Sequence, residues 1–221
     1  MLAGIIPANR LENAKSRLTL SPSGLKKSDL VTLMLENVIS AATGSSLDQV
    51  YIVSGDNTLL ELSKSMGIET VAEPGSVGVN GAVALANSRA ISDGASATLV
   101  IFSDLPLIQN EDIDGIVELG KSEKGCVIAS PSARGGTNVL WRDPPDVIPT
   151  RYGENSFIVH REEAAGAGVP FHAFHSDGTC LDVDVLEDFK LLLKRTGFKG
   201  KRTIIRLMQD GPRTEGENGK I

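Results

Sequence analysis

Three aspartates stand at positions where a carboxylate needs an explanation. The run TLVIFSDLPLI, residues 98 to 108, is apolar and β-prone, yet it ends on Asp104 before Leu105, Pro106 and Leu107 close the turn. A charged group is costly to bury unless a cation or hydrogen-bond donors meet it. A helix cap is one explanation, but the next helical pattern starts only near Asn110 or Glu111, several residues too late. Ligation of a hard divalent cation that also bridges nucleotide phosphates accounts for Asp104 better. In LDVDVLEDF, residues 181 to 189, Asp182 and Asp184 alternate with apolar residues at strand period and so project to one side. Two such carboxylates repel unless a cation lies between them, which a divalent metal would supply. The plainer alternative is that Asp184 caps a helix starting at Leu186 while Asp182 faces water.

Two further stretches carry binding chemistry. IIPANRLENAKSRL, residues 5 to 18, places Arg10, Lys15 and Arg17 in the loop after the first apolar run, and three cations there can neutralise a triphosphate. An ordinary solvated basic loop is the competing reading. Neither G-x-x-x-x-G-K nor G-x-G-x-x-G occurs, so P-loop ATPase and dinucleotide readings lose their main support. In SARGGTNVLW, Gly135 and Gly136 permit close backbone approach to a ligand, while Thr137 and Asn138 add a hydroxyl and an amide. Downstream, Gly153 and Ser156 stand at a helix start, where free N–H groups favour an anion. An ordinary N-cap by Asn155 or Ser156 explains the same residues. His160 lies one turn after Ser156 on the same face, able to touch the same ligand or to face solvent.

These residues need elements to hold them, and the chain alternates strand and helix with short connections. The pattern predicts strands at LAGII (2–6), DQVYIVSG (48–55), IETVAE (68–73) and ATLVIFSD (97–104), separated by helices over 30–42, 57–67 and 79–94. Such alternation implies βαβ crossovers, hence an α/β fold with a mostly parallel central sheet and helices on both faces. The second half predicts a helix at 112–122, strands at 124–131 and 137–142, a helix at 156–168, strands at 169–175 and 179–184, and a helix at 186–195. Ligands of such sheets sit at the carboxyl ends of the strands, where Asp104 and the basic loop fall. Residues 1–208 read as one domain, and 209–221, nearly devoid of apolar side chains, as a flexible tail.

With 22 basic and 28 acidic residues, the net charge of −6 offers no global pull toward nucleic acid or an anionic membrane. Phosphate binding must therefore be local. Cys126 and Cys180 sit in apolar strand-like contexts, which points to buried reduced thiols and a cytoplasmic setting. The N-terminus lacks a secretory pattern, and no run approaches the ~18 apolar residues of a membrane helix. The basic segment 194–206, with Ile204, Ile205, Leu207 and Met208 nearby, suits a helix C-terminus best, with a homodimer contact or a plain soluble tail as the alternatives.

Taken in order, IIP with ENAKSRL, GVN at 78–80, SDLPL at 103–107, ARGGTNVL at 133–140, YGENSF with His160, and LDVDVLEDF resemble the 2-phospho-L-lactate guanylyltransferase family of coenzyme F420 biosynthesis. That family is itself similar in fold to the molybdenum cofactor guanylyltransferases. The resemblance spans the chain to about residue 195, with ARGGTN and GENSF its most specific parts. It implies a three-layer, Rossmann-like, nucleotide-diphospho-sugar transferase type of fold. It assigns the N-terminal loop from Pro7 through Arg10 to Lys15 and Arg17 to the triphosphate of GTP, and Gly78 and Asn80 to the guanine. Asp104, Asp182 and Asp184 would hold Mg2+, with Lys15, Arg17 and Asp104 catalytic. Thr137, Asn138, Gly153, Ser156 and His160 would bind a small phosphorylated three-carbon acid. The chain departs from the family pattern at Asn9, where lysine is common, and at Tyr152, where phenylalanine is common.

The implied reaction transfers GMP from GTP to 2-phospho-L-lactate, phosphoenolpyruvate or 3-phosphoglycerate with release of pyrophosphate. Rival readings are a nucleotidyltransferase for a sugar phosphate or molybdopterin, a nucleotide-sugar glycosyltransferase with a D-x-D metal site, and a non-catalytic nucleotide-binding module. The retained cations and aspartates disfavour the last.

Overall fold

The computed structural model describes residues 1–11 and 26–194. Their order is β1 (Leu2–Ala8), α1 (Lys27–Thr43), β2 (Gln49–Ser54), α2 (Asn57–Ser65), β3 (Glu69–Ala72), α3 (Gly78–Ser92), β4 (Ala97–Ile101), α4 (Asn110–Ser122), β5 (Val127–Pro131), β6 (Thr137–Arg142), α5 (Ser156–Ala167), β7 (Phe171–Ala173), α6 (Asp177–Cys180) and α7 (Leu186–Lys194). One seven-stranded sheet runs β3-β2-β1-β4-β6-β5-β7. β1 is parallel to β2 and β4, β2 to β3, and β5 to β7, whereas β6 is antiparallel to both its neighbours. The expected mostly parallel α/β sheet is thus observed, with one reversed strand inserted beside its centre.

Burial on both faces explains the apolar strands. β4 is buried throughout. Its Leu99 and Ile101 join Leu35 and Ile39 of α1, Leu59 of α2, and Ile113 and Val117 of α4 in one cluster. Val100 faces the other way, toward Ala82, Val83 and Ala86 of α3 and Ala164 of α5. The two clusters are the two faces of a period-two strand, and they make β4 the middle of three layers. A third cluster fastens α7 to the start of α1 through Phe189, Leu192, Leu30 and Met34, with Val183 between them. Helix starts follow local chemistry: Asp56 accepts from the N–H groups of Thr58 and Leu59, and Gln109 with Asp112 forms a capping box at α4.

Three expectations need correction. Residues 179–184 do not form a strand. Ser176 Oγ accepts from the Thr179 N–H at 3.0 Å and the Thr179 hydroxyl accepts from the Ser176 N–H at 3.2 Å, which turns the chain into α6 instead. Cys180 therefore sits half-buried at a helix end rather than in a strand, while Cys126 is buried, and both are free thiols. Residues 181–184 follow as irregular chain held by a bond from the Val183 N–H to the Asp104 carbonyl, 3.3 Å. Asp184 does not cap α7: Asp188 reaches back to accept from the N–H groups of Asp184 and Val185 at 2.9 and 3.0 Å. The strand expected over 169–175 is shorter, Phe171–Ala173, and at its start the Val169 N–H is engaged in closing α5 on the Ala164 carbonyl. No described helix is long and apolar enough to cross a membrane.

Candidate active site

The carboxyl ends of β1 and β4 open into a cleft of about 330 Å³. It brings together Pro7, Arg10, Gly78, Asp104 and Asp184, as the sequence expected, and adds Asn9, Glu73, Ser76, Phe102 and Ser103 to its walls. Val31 and Met34 of α1 and Ala82 of α3 supply apolar surface. A Cβ on Gly55 would lie 2.9 Å from Arg10 Nε, so the guanidinium of Arg10 lies over bare backbone. Gly78 begins α3 at φ 68°, a left-handed conformation that glycine adopts without strain. Lys15 and Arg17 lie outside the described residues, as do the tail from 209 and the basic segment beyond Lys194.

Asn80 does not line this cleft. Its Nδ2 donates to the Tyr152 carbonyl at 2.9 Å, and its Oδ1 accepts from the Tyr152 N–H at 2.8 Å. The side chain mimics a peptide and clasps the 149–155 loop to the start of α3. Each end of the amide thus already has a partner in the loop, outside the cleft.

Acidic chemistry gathers beside the cleft. Asp182 is 6% exposed and its Oδ1 has no hydrogen-bond partner. Burial, and then the neighbouring charges of Asp104 and Asp184, push its carboxyl above the usual range. A buried, partner-poor carboxylate facing like charges is a site that gains from a cation. Arg134 provides one from the side: Nη2 makes two 2.8 Å bonds to Asp188, and Nη1 lies 3.6 Å from Asp182 and 4.0 Å from Asp184. Burial alone would raise Asp188, but Arg134 and the two backbone N–H groups outweigh it and hold that carboxyl below its ordinary value. Neither Arg134's role nor Asp188's carried a local signal beyond an acidic residue in the first turn of a helix.

Among the described residues no three His, Cys, Asp or Glu side chains are gathered as a ready metal cage. Magnesium asks for less, since one or two carboxylates with substrate phosphates and water complete its shell. Asp104 and Asp182 fit that requirement through the orphaned Asp182 Oδ1, and Asp184 borders the same cleft.

Of the remaining expected residues, Thr137, Ser156 and His160 form a second, buried cluster at the start of β6. Thr137 Oγ1 lies 3.0 Å from His160 Nδ1 and accepts from Ser156 Oγ at 3.3 Å. His160 is wholly buried, so the solvent-facing alternative for it is excluded. Burial first and the Arg142 charge second bring its ring down to about 4, which keeps it neutral at pH 7. Asn138 turns away and donates to the Thr179 carbonyl at 2.9 Å, holding α6 and thereby the Asp182 segment in place. Gly153 lies in the exposed loop clasped by Asn80. Asn155 occupies the N-cap position of α5 without a side-chain cap, and the Phe157 N–H is satisfied by the Gly135 carbonyl at 3.2 Å. The helix start is thus partly closed by backbone, and hydroxyls supply its polar chemistry.

A family model described as "Guanylyl transferase CofC like" matches residues 2–209. The chain belongs to this family. A phosphoenolpyruvate guanylyltransferase of Rubrobacter xylanophilus is 35% identical over 191 residues, covering 85% of this chain and 91% of that protein. One of Thermobaculum terrenum is 31% identical, covering 90% and 85%. A 2-phospho-L-lactate guanylyltransferase of Methanothermobacter thermautotrophicus is 31% identical, covering 92% and 89%. In fold, the CofC-like chain is similar to a crystal structure from Desulfovibrio desulfuricans G20 described as a nucleotide-diphospho-sugar transferase, with a TM-score of 0.72, 16% identity and 95% and 94% coverage. It is also similar to CMP:2-keto-3-deoxy-manno-octonic acid synthetase complexed with CTP, at TM-score 0.60, 13% identity and 86% and 96% coverage. The chain is a nucleotidyltransferase enzyme of the guanylyltransferase type.

Proposed function

We propose that the protein transfers GMP from GTP to a three-carbon acid phosphorylated on its C2 oxygen, 2-phospho-L-lactate or phosphoenolpyruvate, with release of pyrophosphate, in coenzyme F420 biosynthesis. The observation that carries this reading is the buried Asp182 Oδ1 beside Asp104, at the edge of a cleft that Arg10 also lines. The named relatives divide between the two acids, and both acids place a phosphate next to a carboxylate. We take residues 1–208 as one catalytic domain acting in the cytoplasm as a homodimer.

In this reading a phosphate oxygen of the acid attacks the α-phosphorus of GTP in line. The new P–O bond forms as the bond from the α-phosphorus to the bridging oxygen of pyrophosphate breaks. That phosphate is already an anion at neutral pH, so no side chain has to remove a proton, and the work is positioning and charge neutralisation. Asp104 and Asp182, with Asp184 beside them, would hold Mg2+, which when bound neutralises phosphate charge and stabilises the five-coordinate phosphorus. Arg10, with Lys15 and Arg17, takes the triphosphate. Thr137 and Ser156, with the backbone at Gly153, take the acid's anionic groups, and Gly78 borders the nucleobase.

The test is pyrophosphate release from GTP with magnesium and each of 2-phospho-L-lactate, phosphoenolpyruvate and 3-phosphoglycerate, with Asp104→Asn as control. Release with a C2-phosphorylated acid, abolished by the substitution, is expected. Release with none of the three, or normal turnover by Asp104→Asn, would refute the proposal.

A further inference from the structure

We propose that His160 is a positioning residue that fixes the Thr137 hydroxyl as a hydrogen-bond donor toward the anionic group of the acceptor. The inference rests on the reading of Thr137 and Ser156 as acceptor-binding groups. It follows from an accounting of protons. The backbone N–H of Arg151 donates to His160 Nε2 at 2.9 Å. A backbone amide can only donate, so Nε2 must present its lone pair, and the neutral ring carries its hydrogen on Nδ1. Nδ1 is 3.0 Å from Thr137 Oγ1 and therefore donates to it. Ser156 Oγ donates to the same oxygen from 3.3 Å.

A threonine hydroxyl has two lone pairs and one hydrogen. Both lone pairs of Thr137 are thus engaged, while its own hydrogen has no acceptor among the described residues. Thr137 is buried at 4% exposure, where an idle donor is unfavourable and a ligand oxygen that accepts from it is rewarded. A phosphate or carboxylate oxygen, which only accepts, matches this hydroxyl. With the opposite tautomer the ring would lose Arg151 and would draw the Thr137 hydrogen to itself, leaving nothing for the ligand. The ring thus joins two parts of the acceptor side: it orients Thr137 and anchors Arg151, the neighbour of the residue that Asn80 clasps. Tyr152 packs against it in a T-shaped contact with centroids 5.1 Å apart, which limits its rotation.

The competing role is that His160 only fills the core. Two substitutions separate these roles. His160→Asn offers an amide N–H near the place of Nδ1 and cannot reach Arg151. His160→Gln can accept from Arg151 but offers no donor at Nδ1. Steady-state kinetics should show the acceptor KM raised between about tenfold and about a hundredfold in His160→Gln and in Thr137→Val, the worth of a hydrogen bond to a charged group. KM for GTP, and kcat at saturating acid, should stay near wild type. The double variant should be no worse than Thr137→Val, and His160→Asn should recover most of the acceptor affinity. Equal losses in the Asn and Gln variants, following thermal stability, would overturn the proposal in favour of core filling. Long-range 15N–1H spectra of the wild-type protein should show a protonated Nδ1 and a bare Nε2, and the reverse tautomer would overturn it without any variant. Failure of the wild-type enzyme to use any of the three acids would instead overturn the functional reading, and with it the acceptor for this hydroxyl; normal wild-type turnover with an unchanged acceptor KM in His160→Gln would overturn the positioning role alone.

Discussion

Acidification should unfold this protein partly through one buried imidazole. His160 is fully buried, and burial with the nearby Arg142 charge brings its pKa from 6.5 to about 4. In the unfolded chain the same ring titrates near its ordinary value of about 6.5. Between these values the unfolded state binds more protons than the folded state. The contribution of His160 is therefore fully present above pH 6.5 and is lost as pH falls toward 4. Integrating proton uptake from pH 7.5 to pH 4.5 gives a loss of about 2.5 kcal/mol from this residue alone. Structurally the loss has a plain origin, because a proton on Nε2 would face the N–H of Arg151 at 2.9 Å. Urea unfolding of the wild type and His160→Asn at both pH values isolates the effect from the carboxylates and from His172 and His175. The gap between the two proteins should shift by about 2.5 kcal/mol in favour of the variant at the lower pH. If both lose the same stability, the buried neutral ring is not what the folded state holds.

Tyr152 Oη is buried without a hydrogen-bond partner, so Tyr152→Phe should leave stability unchanged or raise it by up to about 1 kcal/mol. A lower Tm by calorimetry would count against this. Asn80→Ala removes both bonds to the Tyr152 backbone and should cost about 1–3 kcal/mol, with faster amide exchange across 151–155 by mass spectrometry. Unchanged protection there would show that the clasp does not hold the loop. A Cβ at Gly120 would lie 2.5 Å from the Trp141 ring, so Gly120→Ala should lower the urea midpoint by the equivalent of about 1–3 kcal/mol of overpacking. An unmoved midpoint would mean that the ring can yield. Arg134→Met removes the cation shared by Asp182, Asp184 and Asp188, and because that arginine is 43% exposed the loss should be only about 1 kcal/mol. Magnesium should then raise Tm more in the variant than in the wild type, and equal shifts would refute the idea that Arg134 counters the same charge.

The parts of this molecule that were readable in the sequence are those set by local period. Strand β4, and Asp104 three residues past its end, were visible because a buried central strand must be apolar on both faces, which leaves the carboxylate conspicuous. The pairing of Ser156 with His160 was visible because residues four apart share a helix face, and the two do meet at Thr137. The Asp182 segment misled because V-D-V alternation imitates a strand over too few residues to be decisive. What governs it is the Ser176–Thr179 capping pair and the bond from Asn138 to Thr179, 41 residues apart. Asn80 joins Tyr152 across 72 residues, and Arg134 meets Asp188 across 54. No periodicity encodes such contacts; they follow from topology.

That topology also explains how one edge of the sheet comes to hold two kinds of chemistry. In a purely parallel sheet every strand presents its last residues to the ligand side, so β1 delivers Pro7 from its own end, and the loops after β1 and β4 deliver Arg10 and Asp104. β6 runs the other way. Its register pairs Ile101 with Val139, and the Phe102 N–H donates to the Asn138 carbonyl at 3.1 Å. An antiparallel strand presents its first residues at that edge, so ARGGTN can lie beside Asp104 although it precedes its strand. The reversal sets Thr137 and Asn138 next to the end of β4, and Asn138 then draws in the segment that carries Asp182. A single inverted strand thereby joins the Thr137 cluster to the acidic side, and on the proposed reading of that cluster, changes in acceptor preference within this fold should concentrate in the loops before β6 and α5 rather than in the strands.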